Sequence, residues 1–186
     1  VTCTLTDWSQ GAMSKVFGEI SDEVSLLQGT YRFTEDENAV SPHMPDVGAV
    51  TTGDWPIDPL NDWGRLGVCR VDDTLAPDIQ FIPGQRILVV GTGEFVWRPF
   101  LLAERLECAG ADVHFSSTTR SPISLGHDIV HALSFSDNYG LGITNFLYNV
   151  RPGQFDRVLI CSETTALAVP QSLIEELDAE VIVDEK

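Results

Sequence analysis

Two short apolar runs, Arg86-Ile87-Leu88-Val89-Val90 and Arg157-Val158-Leu159-Ile160-Cys161, constrain this chain more than anything else in it. After its leading arginine each run is aliphatic without polar alternation, the pattern of a strand buried on both faces. Each stops abruptly in small polar residues, Gly91-Thr92-Gly93-Glu94 in one case and Ser162-Glu163-Thr164-Thr165 in the other. A helix is expected over 95–109, with Pro99 in its first turn, Gly110 as its stop and a strand over 111–115 behind it. The second run leads to an expected helix over 170–177 and a last strand over 180–183. Two such units call for parallel strands joined by right-handed crossovers with helices packed on the sheet.

The expected fold is therefore α/β, a Rossmann-like three-layer sandwich with a mostly parallel sheet and an irregular N-terminal extension. Between the two units, a helix is expected over 125–133, followed by a stretch over 135–151 rich in Asn, Gly and Tyr. Upstream, Pro42, Pro45, Pro56, Pro59 and Pro77 argue against long elements. Only a brief helix over 22–28 and a strand over 65–71 are expected there. Residues 1–61 read as an acidic extension or linker and 62–186 as the α/β domain. The polar start after Val1 suggests a piece of a longer polypeptide.

A formal net charge of −17 on 186 residues repels a phosphate backbone, so nucleic acid is set aside as a direct partner. The acids concentrate outside residues 86–150, which are nearly neutral. Cys3, Cys69, Cys108 and Cys161 form no Cys-x-x-Cys pair, which argues against structural zinc and a disulfide scaffold and suits the reducing cytoplasm. No apolar run approaches the roughly 20 residues that span a bilayer, so no membrane partner is expected.

Within this acidic chain, Ser116-Ser117-Thr118-Thr119-Arg120-Ser121-Pro122 stands out, because six hydroxyl or guanidinium side chains follow an apolar strand. In an open parallel sheet the loops after the strands share the carboxyl edge, so 91–94, 116–122 and 162–165 should converge there. Arg120, with Arg98 and backbone N–H groups beyond Gly93, would clamp an anion bidentately. Ser116, Ser117, Thr118, Thr119 and Ser121 would share its oxygens, and Gly91, Thr92, Gly93 and Glu94 would admit it closely. Asp137, Asn138, Tyr139 and Asn149 supply hydrogen-bonding edges and a stacking face suited to a sugar or base.

Competing readings exist for each feature. Gly91-Thr92-Gly93 serves equally as a tight strand-to-helix turn. The dinucleotide fingerprint is broken at Val96 and no Gly-Lys-Ser/Thr is present, so neither NAD, FAD nor a P-loop is expected, and no cofactor is assigned. Arg120 could pair with an acid instead. His127 and His131 stand four apart as in zinc proteases, but Asp128 replaces the required Glu and no third ligand is evident, so no metal is assigned. The runs 137–140 and 145–150 are explained almost as well by a turn and an edge strand.

Taken in order, Gly91-Thr92-Gly93-Glu94-Phe95, Thr119-Arg120-Ser121-Pro122, Asp137-Asn138-Tyr139-Gly140 and Tyr148-Asn149-Val150 resemble the TRSP domain, over roughly 62–184. The resemblance implies a domain carboxyl-terminal to a phosphoribosyltransferase-like domain, in bacterial gene neighbourhoods linked to tellurite resistance and stress response, with no activity of its own assigned. It suggests a small phosphorylated metabolite and the transferase-like domain as partners. The transferase site itself is not expected in this chain. Neither strand run ends in the acidic pair and Thr/Gly-rich loop that hold ribose hydroxyls and a 5′-phosphate. Two rival functions stay open: an enzyme using Asp137, Glu94 or His127 as general base, or a docking module presenting an acidic face with Trp8, Trp55, Trp63 and Trp97.

Overall fold

The computed structural model of the protein describes residues 12–17, 29, 30, 32, 34, 54, 55 and 75–184. The chain forms two compact units, Val1–Ala39 and Val40–Lys186. In the first, helix α1 spans Ala12–Phe17. The helix expected over 22–28, the strand expected over 65–71 and the boundary expected at 61/62 lie outside the described residues.

The second unit is α/β, with a four-stranded parallel sheet and a small antiparallel pair. Its elements are β1 (Arg86–Gly91), α2 (Trp97–Cys108), β2 (Asp112–Ser117), β3 (Ala132–Ser136), β4 (Thr144–Tyr148), β5 (Arg157–Ser162), α3 (Gln171–Leu177) and β6 (Ala179–Val183). The sheet order is β2-β1-β5-β6, and β3 pairs with β4. The two apolar runs are the central strands. Their side chains divide by the period of two between opposite faces. Ile87 and Val89 join Leu102, Ala103 and Leu106 of α2 in one core cluster. Leu88 and Val90 join Leu147 of β4 with Leu173 and Leu177 of α3 in the other. Burial of each such side chain contributes about 1.5–3 kcal/mol, so a central strand tolerates no polar alternation.

Three expectations shift. Helix α2 begins at Trp97 because Phe95 donates its N–H to Thr92 O (3.0 Å) and Val96 donates to Glu94 O (3.0 Å), closing a turn that sinks the Phe95 ring into the core. Strand β2 runs to Ser117, so Ser116 and Ser117 are strand residues paired with Val90 and Gly91. The helix expected over 125–133 is absent. Gly126 (φ 148°) and His127 (φ 50°) have left the helical region, and a turn is closed by paired bonds between Gly126 and Ile129. Strand β3 follows, and Leu133 and Phe135, two residues apart, pack against the second cluster. Pairing with β4 has overridden a local helical pattern, and with it goes the i, i+4 face that would have joined His127 to His131.

Candidate functional site

The chain leaves β1 through α2 towards β2 and leaves β5 through α3 towards β6. The carboxyl ends of β1 and β5 therefore flank a topological switch point, the usual ligand crevice of an open parallel sheet. The loops do meet there. Thr92 donates its N–H (3.2 Å) and its hydroxyl (3.0 Å) to Cys161 O, and Gly93 donates its N–H to Thr118 Oγ1 (2.7 Å).

The crevice is filled from within. Asn138 directs its amide nitrogen at Thr92 Oγ1 (3.3 Å), Ser162 Oγ (3.1 Å) and Thr164 Oγ1 (3.1 Å), and the last two hydroxyls lie 2.8 Å apart. Tyr139 donates its hydroxyl to Glu163 Oε1 (2.7 Å) and lies 3.3 Å from Thr92 O. Thr92, Asn138, Ser162 and Thr164 are all buried. Asn138 and Thr92 are thus joined to each other in the interior.

What holds this plug is Asp137. Its buried carboxylate accepts from the N–H groups of Tyr139 (3.2 Å), Leu141 (2.8 and 3.0 Å) and Ile143 (3.1 Å), winding residues 137–143 around itself. A carboxylate so occupied organises a loop and is poorly placed to act as a base. Gly140 (φ 72°) lets Asp54 pack against this loop, since a Cβ there would lie 2.6 Å from Asp54 N. Trp55 donates its N–H to Tyr139 O (3.2 Å). On that side a cavity of about 570 Å³ opens between the loop and residues 166–171, with Asp54 and Asp137 as its charged lining. Two carboxylates give it no attraction for an anion.

A second cavity, of about 420 Å³, lies on the β2 side of the plug. It brings together eight residues of the expected site: Gly93, Glu94, Thr118, Thr119, Arg120, Ser121, Asp137 and Tyr139. Thr118 is buried and its hydroxyl is taken by Gly93 N–H. Thr119 forms a two-bond bridge with Phe146 of β4 (3.0 and 2.7 Å) and accepts Ser121 N–H on its hydroxyl (3.1 Å). Arg120 projects outward. Its side chain is 56% exposed and sits 3.7 Å from Glu94 Oε1, itself 62% exposed. A pair so exposed contributes only about 0–1 kcal/mol, so a ligand oxyanion competes with Glu94 for the guanidinium at little cost. Gly93 (φ 58°) gives the Tyr139 ring room, since a Cβ there would lie 3.1 Å from Cε2 and OH.

The other expected residues are placed elsewhere. Arg98 is 1% exposed and ion-paired with Asp184, so its guanidinium belongs to the interior of the fold. Asn149 (φ 58°) accepts Val130 N–H (2.9 Å) and donates to Asp128 O (2.7 Å), holding the turn before β3. Gly91 ends β1, where a Cβ would meet Phe95 O at 2.5 Å. Ser116 and Ser117 lie on the edge strand β2. The backbone N–H groups of Gly93, Phe95 and Val96 are bonded to Thr118 Oγ1, Thr92 O and Glu94 O, so these do not await an anion. Among the described residues, no group of three or more His, Cys, Asp or Glu could hold a metal ion.

Leu141, Ile143 and Asn145 also line the second cavity; Leu141 and Ile143 lie in no run that the sequence singles out, whereas Asn145 opens the 145–150 run. Asn145 is 4% exposed, and its Oδ1 is buried with no hydrogen-bond partner among the described residues. The signal for it is an Asn at an inward position of a strand whose next two residues, Phe146 and Leu147, are buried.

Away from the site, at the amino edge of the sheet, arginines are tied to acids. Arg86 pairs with Asp156 (2.7 Å) and Arg157 with Glu180 (2.7 Å), and each arginine holds its partner carboxyl below the usual range through a side-chain hydrogen bond. Burial alone pushes the Cys161 thiol up to about 12.

Comparison with known proteins gives a family match. Neither a curated protein nor a solved structure matches the chain. The family model described as "TRSP domain C terminus to PRTase_2" matches residues 68–177, a span that takes in β1 through α3 and the Thr119-Arg120-Ser121-Pro122 run at the mouth of the cavity. With more than half its length in that match, the chain belongs to the TRSP domain family, whose members lie carboxyl-terminal to PRTase_2.

Proposed function

We propose that this chain is a Rossmann-like accessory domain that binds a phosphorylated ribose- or nucleotide-like metabolite in the 420 Å³ cavity and works beside a phosphoribosyltransferase-like domain of the same polypeptide or a neighbour. We place it in the cytoplasm, in a biosynthetic function serving tellurite resistance and stress response. The family's position next to PRTase_2 supports the partner. Arg120 is the observation that carries the ligand: a guanidinium more than half exposed, lining a cavity and held, among the described residues, by nothing stronger than an exposed carboxylate. Its planar fork matches two phosphate oxygens at once. Thr119 and Ser121 flank it with hydroxyls.

A thermal-shift titration with inorganic phosphate, ribose 5-phosphate, phosphoribosyl pyrophosphate and AMP tests this, because a ligand of the folded state alone raises the melting temperature. Arg120→Ala abolishes the shift without unfolding the domain. Glu94→Gln, by removing the competing carboxylate, strengthens binding about two- to fivefold, the worth of an exposed ion pair. An unchanged shift in Arg120→Ala overturns the assignment.

A docking module is the second reading, and a specific surface favours it. Trp97, Phe100 and Phe115 form a chain of ring contacts at 5.9 and 5.7 Å, with Phe100 42% and Phe115 38% exposed. If no phosphate compound shifts the melting point and Phe100→Ser weakens association with the transferase-like domain, this reading prevails.

A further inference from the structure

We infer that Asn145 reads the uncharged part of the ligand whose phosphate Arg120 holds, by accepting a hydrogen bond from a hydroxyl or N–H group carried next to that phosphate. This rests on the reading of the cavity as a phosphate-metabolite site. Strand alternation puts Ile143, Asn145 and Leu147 on one face of the β4 segment, and Phe146 and Tyr148 stack at 5.9 Å on the line of alternate positions. Leu147 enters the second core cluster, whereas Ile143 and Asn145 line the cavity. An apolar residue is the default at such a position, because a buried acceptor that gains no partner loses its water for nothing.

Asn145 breaks that default. It is 4% exposed and its Oδ1 has no hydrogen-bond partner among the described residues. Buried side-chain acceptors are almost always completed, so this one, open among the described residues, calls for a donor that a bound molecule can bring. The Thr119–Phe146 bridge fixes its relation to the anion clamp: Asn145 precedes one member of the bridge and Arg120 follows the other. A phosphate at Arg120 and a donor at Asn145 are then two ends of one small molecule, and 420 Å³ lies within the roughly 300–1,000 Å³ of small-molecule sites. Leu141 and Ile143 supply the apolar lining between polar contacts. The chemical class is a phosphomonoester of a polyol or nucleoside. Inorganic phosphate and alkyl phosphates satisfy only Arg120.

The test is calorimetric titration of the whole chain with inorganic phosphate, n-butyl phosphate, ribose 5-phosphate and 2′,3′-dideoxyadenosine 5′-monophosphate. At least one of the last two binds about tenfold tighter than n-butyl phosphate, the worth of one well-made hydrogen bond in a buried site. Preference for ribose 5-phosphate identifies a sugar hydroxyl as the donor, and preference for the dideoxynucleotide identifies a base N–H. Asn145→Leu, nearly equal in shape, collapses the ratio towards one and leaves the melting temperature of the unliganded protein unchanged or higher, since no internal bond is lost. Should that variant not fold, Asn145→Ser carries the same comparison. A ratio near one in the unaltered protein, a ratio preserved in both variants, or a lowered melting temperature with the ratio intact overturns the role of Asn145 while Arg120 stands. If none of the four compounds binds, the cavity reading fails with it.

Discussion

Gly93 is the position where the plugged crevice and the open cavity meet, and Gly93→Ala probes both. The residue has φ 58°, and an added Cβ would lie 3.1 Å from Cε2 and OH of Tyr139. An alanine pays about 1 kcal/mol for left-handed backbone. Tyr139 cannot retreat freely, because its hydroxyl is bonded to Glu163 Oε1 (2.7 Å) and sits near Thr92 O (3.3 Å). Pushing the ring aside adds about 1–2 kcal/mol of lost packing and weakened hydrogen bonds. The expected loss is about 2–3 kcal/mol, or roughly 5–10 °C in melting temperature for a chain of this size. Gly84 is the control, with φ 77° and nothing within 4 Å of its would-be Cβ, so Gly84→Ala carries the backbone cost alone, about 1 kcal/mol. Urea unfolding followed by tryptophan fluorescence measures both, and a Tyr139→Ala background removes the steric part in a double-mutant cycle. Equal losses at Gly93 and Gly84, or a Gly93→Ala cost that stays at about 2–3 kcal/mol without the Tyr139 ring rather than falling to the backbone part of about 1 kcal/mol, would refute the reasoning.

Other outcomes follow from the same geometry. Arg98→Leu leaves Asp184, whose side chain is 10% exposed, without its buried cation, and urea unfolding should show a loss of about 3 kcal/mol. Adding Asp184→Asn should recover part of it, and a loss in Arg98→Leu of under about 1 kcal/mol would contradict a buried pair. Mass-mapped alkylation at pH 8 should modify the exposed Cys108 and spare Cys161, buried with its thiol pushed up to about 12, until denaturant is added. Glu180 has a carboxyl depressed by Arg157, so its contribution is complete above the ordinary glutamate range and disappears as the pH falls through the lowered folded value. Glu180→Gln should therefore flatten the acid limb of the stability curve, and an unchanged limb would exclude the linkage.

How much of this was legible in the chain depended on whether the deciding interactions were local. Strands β1 and β5 announce themselves because both faces are buried, and a continuous aliphatic run this short, ended by small polar residues, suits a central strand better than an amphipathic helix. The convergence of residues 92–94, 118–121 and 162–164 follows from parallel topology alone. By contrast, the 125–133 segment offers apolar spacing that suits a helix until Gly126 and His127 turn and β3 finds β4. Arg98 and Arg120 look alike in sequence, each an arginine shortly after a strand. Asp184, 86 positions from Arg98, takes one of them into the interior, and no local pattern reveals that. Asn138 was legible as a hydrogen-bonding residue, but the three hydroxyls it reaches lie 24 to 46 positions away.

The internal plug explains why the candidate site stands to one side of the place the topology would put it. A crevice at the ends of β1 and β5 is useful to a ligand only while its polar groups are unsatisfied. Here Thr92, Ser162 and Thr164 have been given a partner in Asn138, and Tyr139 covers them. Asp137 makes that arrangement stable by gathering three N–H groups of its own loop, so opening the crevice would strand a buried carboxylate as well as three hydroxyls. The open groups lie instead on the β2 side, where the same Tyr139 that closes the crevice becomes a wall of the cavity, Arg120 offers an exposed cation and Asn145 an acceptor unmatched among the described residues. In this arrangement the 137–143 loop sets the shape of the cavity, while the cation that lines it, Arg120, comes from the loop after β2.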